Sequence, residues 1–416
     1  MITADRRLQV LPVQNKLLDK FFLFLCLFTS VFDTLNGYFL QAVGVNLSVS
    51  LLLKLVILTL CFFGLLKYSF FNLIFVVFIL FTGVALSYFH MVSTSSGLHG
   101  FIVEITHFLK VFSWVIIYLY ISKINWISLG ISLRSYVELV MSIYLIVIML
   151  NISLGLFGIG YSTYSNGFGY KGFLSAGNEI GGALLICFSI LSYSTLSNQK
   201  YFLYVLLLLC SFLYSVLLGM KTAILGVILI SFVLLLGVFK DNRSFIFSLM
   251  SAVLLFFLSL LLFIDIDFQK FFLFYERFQY FHAKDGLLGA LLSGREIYVK
   301  TVLWDIFFEK NIFDLIFGVG RIGLPYSDST MEIDFLDILV WFGFIPFLFW
   351  LFFLVYGGLS VAKFSLKFKD YYFVIVWGIF ILISSIAGHL FISGMTAMLI
   401  PFFIGYGKSQ LSTSKV

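Results

Sequence analysis

Long apolar segments recur along almost the whole chain, separated by short polar stretches. The segments are mostly unbroken runs of Leu, Ile, Phe and Val, without the alternating apolar and polar positions of a membrane strand. A helix of about 20 apolar residues crosses a hydrocarbon core about 30 Å thick. The pattern predicts about twelve membrane-spanning helices, at 17–34, 47–66, 69–88, 100–121, 135–154, 178–196, 201–218, 222–239, 244–265, 334–356, 371–387 and 389–406.

Composition supports this class of protein. Hydrophobic residues make up 62% of the sequence and charged residues 11%, and the mean hydropathy is +1.10. A soluble domain contains about 25% charged residues. We therefore predict an all-α polytopic integral membrane protein, in which the lipid bilayer is the main surrounding.

Basic residues are distributed unevenly between the two sides of the predicted bundle. With twelve spans both termini lie on the same side of the membrane. The termini and short loops on that side hold most of the Lys and Arg residues, including Arg6 and Lys123. The short loops opposite hold only Lys171 and Lys221. The positive-inside rule predicts that both termini are cytoplasmic and that the long loop 266–333 lies outside. The net charge of +6 then reflects topology, and no nucleic-acid partner is expected.

Three regions follow from this topology. They are a transmembrane bundle of about nine helices at 1–265, an extracytoplasmic loop at 266–333, and about three further spans at 334–416. In the loop, aromatic residues at helical spacing between Phe268 and Phe281 predict an interfacial amphipathic helix. A second helical stretch is predicted from Arg295 to about Lys310.

Metal and disulfide chemistry have no support in the sequence. The cysteines fall inside predicted spans without CxxC spacing and are expected to be apolar packing residues. Four histidines show no metal-ligand spacing and receive no role: His90, His99, His282 and His389. We predict no metal and no cofactor.

Ionisable residues inside spans usually face the bundle interior or a cavity. Most of those in this chain lie toward the predicted outer side: Asp33, Lys54, Glu104, His107, Lys110, Glu179, Lys221, Asp334 and Asp337. A transporter needs polar groups near the midplane or on both sides, whereas an enzyme with an outward-facing pocket needs them on one side. The distribution favours the enzyme.

Several of these residues also have structural interpretations. Asp334 is favoured at a helix start by the helix dipole whatever its function. Glu104 and His107 share a helix face and are expected to form a hydrogen-bonded pair. Lys54 and Lys110 can extend their charges along apolar stems toward the interface, and Asp33 can pair with Lys54. These alternatives stay open at the level of sequence.

Four stretches, in order along the chain, resemble motifs of the bacterial surface-polysaccharide polymerase and O-antigen ligase superfamily. The first is the loop-to-helix segment from Gly172 to Asn178 and Glu179, and the second is Leu218-Gly219-Met220-Lys221-Thr222. The third is Ser293-Gly294-Arg295 with Trp304, and the fourth runs from Gly318-Val319-Gly320 through Glu332-Ile333-Asp334 to Gly343-Phe344-Ile345. Lys221 stands where the family usually has Arg, and acids at 332 and 334 stand where ligases have His. The second difference favours a polymerase.

The resemblance implies a metal-independent glycosyltransferase of the GT-C type in the bacterial cytoplasmic membrane. Its substrate would be an undecaprenyl-diphosphate-linked oligosaccharide, used at the outer face, with a chain-length regulator and a flippase as possible partners. Arg295 and Lys221 would stabilise the diphosphate leaving group, and Glu332 or Asp334 would be the general base. Further substrate-binding candidates are Arg321, Asn178, Glu179, Asp337, Lys54 and His107.

Two other functions remain open. An O-antigen ligase differs only in its acceptor. A lipid-linked oligosaccharide flippase belongs to a different class, and it predicts cations distributed at all depths of a central cavity and two similar halves.

Overall fold

The computed structural model of the chain describes residues 16–45, 48–164, 167–238, 279–280, 282–283, 286, 295, 299–309, 311–324, 331–368 and 370–409. The predicted span 244–265 and half of the predicted loop 266–333 lie outside these residues. The amphipathic helix predicted between Phe268 and Phe281 is represented by Gln279 and Tyr280 alone, both in helical conformation.

The described residues are almost entirely helical, as the apolar pattern predicts. The longer helices of the first part are α1 Lys16–Tyr38, α2 Val49–Tyr68, α3 Phe70–Thr94, α4 Gly97–Ile121, the short α5 Trp126–Leu129, α6 Leu133–Leu156, α7 Gly177–Ser197, α8 Tyr201–Leu218 and α9 Lys221–Val238. The later helices are α10 Ile312–Phe317, α11 Asp334–Phe342, α12 Phe344–Phe368, α13 Tyr372–Ala387 and α14 Thr396–Ser409. Two π-helical segments, π1 Phe39–Val43 and π2 Lys300–Phe307, and an antiparallel pair, β1 Tyr161–Ser162 and β2 Tyr170–Gly172, complete the set.

Within the described residues, seven helices are long and apolar enough to cross a membrane. They are α2, α3, α4, α6, α7, α8 and α12, and shorter apolar helices lie within α9, α13 and α14. Large apolar side chains such as Leu52, Phe81 and Phe202 are more than half exposed, as expected of a surface that faces lipid. The chain is therefore a multi-pass helical membrane protein, and the count of twelve spans stays a prediction.

The predicted span 334–356 was wrong in its bounds. A break at Gly343 separates α11 from the longer apolar helix α12, so Asp334 and Asp337 belong to a short helix of their own. At Gly343 (φ 76°) an added Cβ would lie 2.3 Å from the carbonyl oxygen of Ile316, and at Gly318 (φ 81°) it would lie 2.3 Å from that of Trp341. Both positions need glycine, because two backbones meet there.

Helix α7 lies at the centre of the bundle. Between Ile180 and Leu196 its residues are buried almost without exception, and it packs on α6, α8, α9 and α14. The glycine at 182 lies against Leu390 and against Thr396, the first residue of α14. Small residues of this kind allow helix backbones to approach closely in a membrane bundle. The first turn of α7, with Asn178 and Glu179, is thereby fixed among its neighbours.

One end of the bundle carries the segments that matter for the site. We call it the loop face and define it by residues 39–45, 157–164, 167–176, 318–324, 331–333 and 388–395. Contacts join these segments across the bundle: the Tyr161 hydroxyl donates to the carbonyl of Gln41, and Thr163 Oγ1 donates to the carbonyl of Leu218 at 2.9 Å. Gly388 packs directly on the carbonyl of Glu332. The loop face is the end predicted to lie outside the cell.

Candidate functional site

The Gly318–Ile322 turn is held in place by a buried acid and a buried histidine. Glu104 Oε1 accepts a 2.8 Å hydrogen bond from the backbone N–H of Ile322. His90 Nε2 lies 3.1 and 3.2 Å from the carbonyl oxygens of Phe317 and Gly318, and since carbonyls only accept, this nitrogen carries a proton. The two side chains face each other with His90 Nδ1 3.5 Å from Glu104 Oε2. The expected pairing of Glu104 with His107 on its own helix is replaced by this one across to α3.

On its other side the same turn forms backbone hydrogen bonds with the C-terminal end of α11. The N–H groups of Val319 and Gly320 donate to the carbonyls of Val340 and Trp341 at 3.0 and 3.1 Å. These are carbonyls of the last turn of a helix, which have no partner within the helix. An added Cβ at Gly320 (φ 71°) would lie 2.9 Å from Glu104 Oε1 and from the ring of His90. The turn is therefore fitted closely between α3, α4 and α11.

This arrangement directs Arg321 at His107. The Arg321 guanidinium Nη1 lies 3.3 Å from Nδ1 of His107 and makes a shorter contact with Nε2. A guanidinium only donates, so His107 accepts in its neutral form. Lys110 and His389 also act electrostatically on His107. Two of the predicted binding residues, His107 and Arg321, are thus brought together from positions 214 residues apart.

Two lysines reach the same region from α2 and α4. A Cβ placed on Gly394 would lie 3.4 Å from Lys54 Nζ and 3.7 Å from Cγ of Lys110. Lys54 Nζ also forms a 2.6 Å ion pair with Asp33 Oδ1, which confirms the pairing expected from sequence. We call Lys54, Lys110, His107 and Arg321 the lysine group. Each of these side chains is half-buried.

A second group forms around Glu332. Arg295 Nε donates to Glu332 Oε2 at 3.2 Å, and Nη2 contacts the same oxygen. The side chain of Asn178, in the first turn of α7, also hydrogen-bonds to Glu332. Three of the predicted site residues, from three distant segments, therefore meet at one carboxylate. We call Arg295, Glu332 and Asn178 the arginine group.

Burial and the neighbouring charges act in opposite directions on the pKa of Glu332. Burial raises the pKa of the Glu332 carboxyl, but the charge and hydrogen bonds of Arg295, with smaller effects of His389 and Asn178, outweigh burial and hold this pKa below its ordinary value. The sequence argument expected a shielded carboxylate to be a stronger base than a free one. With Arg295 bound to it, Glu332 is a weaker base.

The backbone at Glu332 is unusual. Glu332 (φ 53°) and His389 (φ 69°) are both non-glycine residues in the left-handed region. They meet where Gly388 approaches the Glu332 carbonyl, since a Cβ on Gly388 would lie 2.3 Å from that oxygen. Left-handed backbone costs about 1–2 kcal/mol for residues other than glycine. Such conformations cluster at functional sites.

Asp334 and Asp337 are acceptors of structural hydrogen bonds. Asp334 Oδ2 accepts from Ser384 Oγ and from the backbone N–H of Phe391, both at 2.8 Å, and Oδ1 accepts from the N–H of His389. Asp337 Oδ1 accepts from the N–H of Met331 at 2.9 Å. Both acids are fully buried. Asp334 thus connects α11 to segment 384–391 with both of its oxygens, which leaves it poorly placed to take a proton from substrate.

The two remaining predicted residues lie near the first turn of α7. Glu179 Oε2 accepts from Ser175 Oγ at 3.4 Å within its own loop. Lys221 is the first residue of α9, and Met220 before it packs on Gly177, the first residue of α7. Lys221 is therefore near Asn178, and so on the same side of the bundle as the arginine group.

Sequence reasoning missed three residues. Lys110 was interpreted as extending its charge toward the membrane interface, and His90 and His389 were given no role. A signal for Lys110 did exist, because it lies 13 residues into a 25-residue helix, far from either end. No local signal pointed to the histidines, because the carbonyl partners of His90 and the acidic partners of His389 are more than 50 residues away.

Comparison of the chain with protein-family models, with curated proteins and with solved structures gave no match.

Proposed function

We propose that the protein is a membrane glycosyltransferase that polymerises lipid-diphosphate-linked oligosaccharide units at the loop face. The observation that supports this best is that four segments of the chain bring basic side chains into two groups, one of them on the partly exposed carboxylate of Glu332. Arg295 lies on Glu332, while Arg321, Lys54 and Lys110 surround His107 and Gly394. A diphosphate leaving group needs several positive charges if no metal is used.

Among the candidate bases, Glu332 fits the reaction better than Asp334. Side-chain exposure at Glu332 is 39%, whereas Asp334 is fully buried and hydrogen-bonded through both oxygens. Glu332 is held as a weak base by Arg295. A diphosphate that binds Arg295 would weaken this ion pair and raise the pKa of Glu332. Substrate binding and activation of the base would then be one event.

In this mechanism the sugar hydroxyl of the acceptor gives its proton to Glu332 as its oxygen attacks the anomeric carbon of the donor. The bond from that carbon to the diphosphate oxygen breaks, and Arg295 and Lys221 stabilise the charge that develops on the diphosphate. Every component is a side chain of this protein. No metal has a part in this scheme.

A lipid-linked oligosaccharide flippase is the second candidate, and one observation favours it. Lys110 lies about 20 Å from the start of α4, a helix about 37 Å long. This depth is greater than a reaction confined to the outer surface requires, and charges at mid-membrane depth are typical of transport pathways.

The test is the set of lipid-linked glycans that accumulate when the gene is deleted from its host. A polymerase leaves single repeat units exposed on the outer side of the membrane. Full-length chains on the lipid would indicate a ligase, and single units confined to the cytoplasmic side would indicate a flippase. Complementation with the wild-type gene is the control. Either of the last two results would overturn the polymerase proposal.

A further inference from the structure

The three cations of the lysine group, Lys54, Lys110 and Arg321, form one ion pair among the described residues. Among the described residues the ion pairs are Lys54–Asp33, His90–Glu104, Arg134–Glu138 and Arg295–Glu332. Lys110 and Arg321 are in none of them. Within the part of the chain that the structure describes, Lys54 therefore has an ion-pair partner in Asp33, whereas Lys110 and Arg321 have none.

The position of these charges makes the imbalance costly. Lys110 lies near the middle of α4, a helix that can span a membrane. Its stem lies along Gly394, beside the ammonium of Lys54. Ionisable groups at this depth are expensive unless they are paired, and they are usually functional. An anion that enters between Lys54, Lys110 and Arg321 would supply the missing charge.

The geometry also limits what the anion can be. Ammonium groups are point charges that bind phosphate from any direction, and a guanidinium adds paired donors suited to phosphate oxygens. The donors come from α2, α4 and the 318–324 turn, so they approach from different sides. Their half-buried side chains let an incoming group reach them.

We propose that Lys54, Lys110 and Arg321 form a phosphate-binding site that is separate from the arginine group and holds the phosphate or diphosphate of a membrane lipid. The inference rests on the proposed function only for the choice of a lipid as the source of the anion. At Arg295 the charge is already balanced by Glu332, whereas at Lys110 it is not. The lysine group is thus the stronger anion site of the resting protein, and the arginine group is the place of the reaction.

Binding is tested directly on the purified protein in lipid nanodiscs, by thermal unfolding with three additives: a polyprenyl diphosphate, the uncharged polyprenol and inorganic diphosphate. We expect the polyprenyl diphosphate alone to raise the unfolding midpoint. An equal effect of inorganic diphosphate would show a soluble anion as the ligand and overturn the assignment to a lipid. No effect of either anion would overturn the site itself.

Variants locate the site. Lys110→Met keeps the length of the side chain and removes its charge, and we expect about ten- to hundredfold weaker binding. The unfolding midpoint without ligand should equal or exceed that of wild type, because an unbalanced cation has been removed. Lys123→Met, at an exposed position just beyond the other end of α4, is the matched control and should bind normally.

A structural role for Lys110 predicts the opposite pair of results, a lower midpoint with binding intact, and this would overturn the proposal. If Lys110→Met does not fold, Arg321→Gln tests the same site from the turn and should also weaken binding. Unchanged binding in Arg321→Gln would then count against the proposal. None of these measurements depends on sugar transfer, so the site and the proposed polymerase activity can fail separately.

Discussion

Arg295→Lys distinguishes a catalytic arginine from a structural one. In the structure both Nε and Nη2 of Arg295 contact Oε2 of Glu332. Lysine can keep the charge of this pair, but it cannot place two nitrogen donors on a phosphate or carboxylate. If Arg295 stabilises the leaving diphosphate, its replacement by Lys should therefore lower the rate of transfer severely.

The catalytic and structural interpretations predict very different effects of Arg295→Lys on the rate of transfer. The side chains of Arg295 and Glu332 are 15% and 39% exposed, and a pair this accessible contributes about 0–1 kcal/mol to stability. A structural role thus predicts an almost normal protein. Loss of a donor that stabilises the transition state costs about 3–4 kcal/mol, or roughly a hundred- to thousandfold in rate.

The assay is the rate of repeat-unit transfer by purified protein, together with chain lengths in complemented cells at equal protein amounts in the membrane. Arg134→Lys is the matched control. Arg134 Nε lies 3.0 Å from Glu138 Oε1 with comparable exposure of 22% and 28%, at the opposite end of the bundle. We expect Arg134→Lys to transfer at nearly the wild-type rate. If Arg295→Lys were equally active, within about threefold, the role given to Arg295 would be wrong.

Four further outcomes are expected. Asp334→Asn should destabilise the protein by about 1–3 kcal/mol, because one acceptor oxygen is lost, while the folded fraction still extends chains; loss of extension in fully folded protein would make Asp334 the base. Arg295 lowers the pKa of Glu332 although burial raises it. The stability difference between wild type and Glu332→Gln should therefore be constant above the ordinary pKa of 4.5 and disappear as the pH falls through the lowered pKa. A stability difference that acid does not change would contradict this. Glu104→Gln should be nearly normal, since Gln can accept from Ile322 and donate to His90, whereas Glu104→Ala should lose activity; equal damage by both would show that the charge itself is needed. Transfer should persist after chelation, and loss that magnesium or manganese restores would refute stabilisation by Arg and Lys alone.

The helices of the bundle could be predicted from sequence because apolar length alone determines them. Helices α2, α6 and α8 begin and end within a few residues of their predicted bounds. Hydropathy did not locate the break at Gly343, since apolar residues continue on both sides of it. What ends α11 there is the approach of Gly318 from another segment, and a contact between distant backbones leaves no periodic signal in either one.

Partner choice at the site was the second limit of sequence reasoning. The spacing of Glu104 and His107 correctly indicated a shared helix face, yet each of them pairs elsewhere, with His90 and Arg321. Spacing along one helix shows which side chains can meet, whereas packing of the neighbouring helices decides which do. Asp334 shows the same limit, because a helix start was predicted correctly and its donors come from positions 50 to 57 residues later.

The left-handed backbone at position 332 would suit glycine, so the presence of a glutamate there needs an explanation. Glycine would adopt φ 53° without strain, and the tight packing of Gly388 on the Glu332 carbonyl would allow it. The chain instead has a side chain there that costs about 1–2 kcal/mol in backbone energy and forms the ion pair with Arg295. A partly exposed ion pair contributes about 0–1 kcal/mol, which does not offset that cost. The ion pair alone therefore does not account for Glu332, which favours the proposed role of this residue in chemistry or binding.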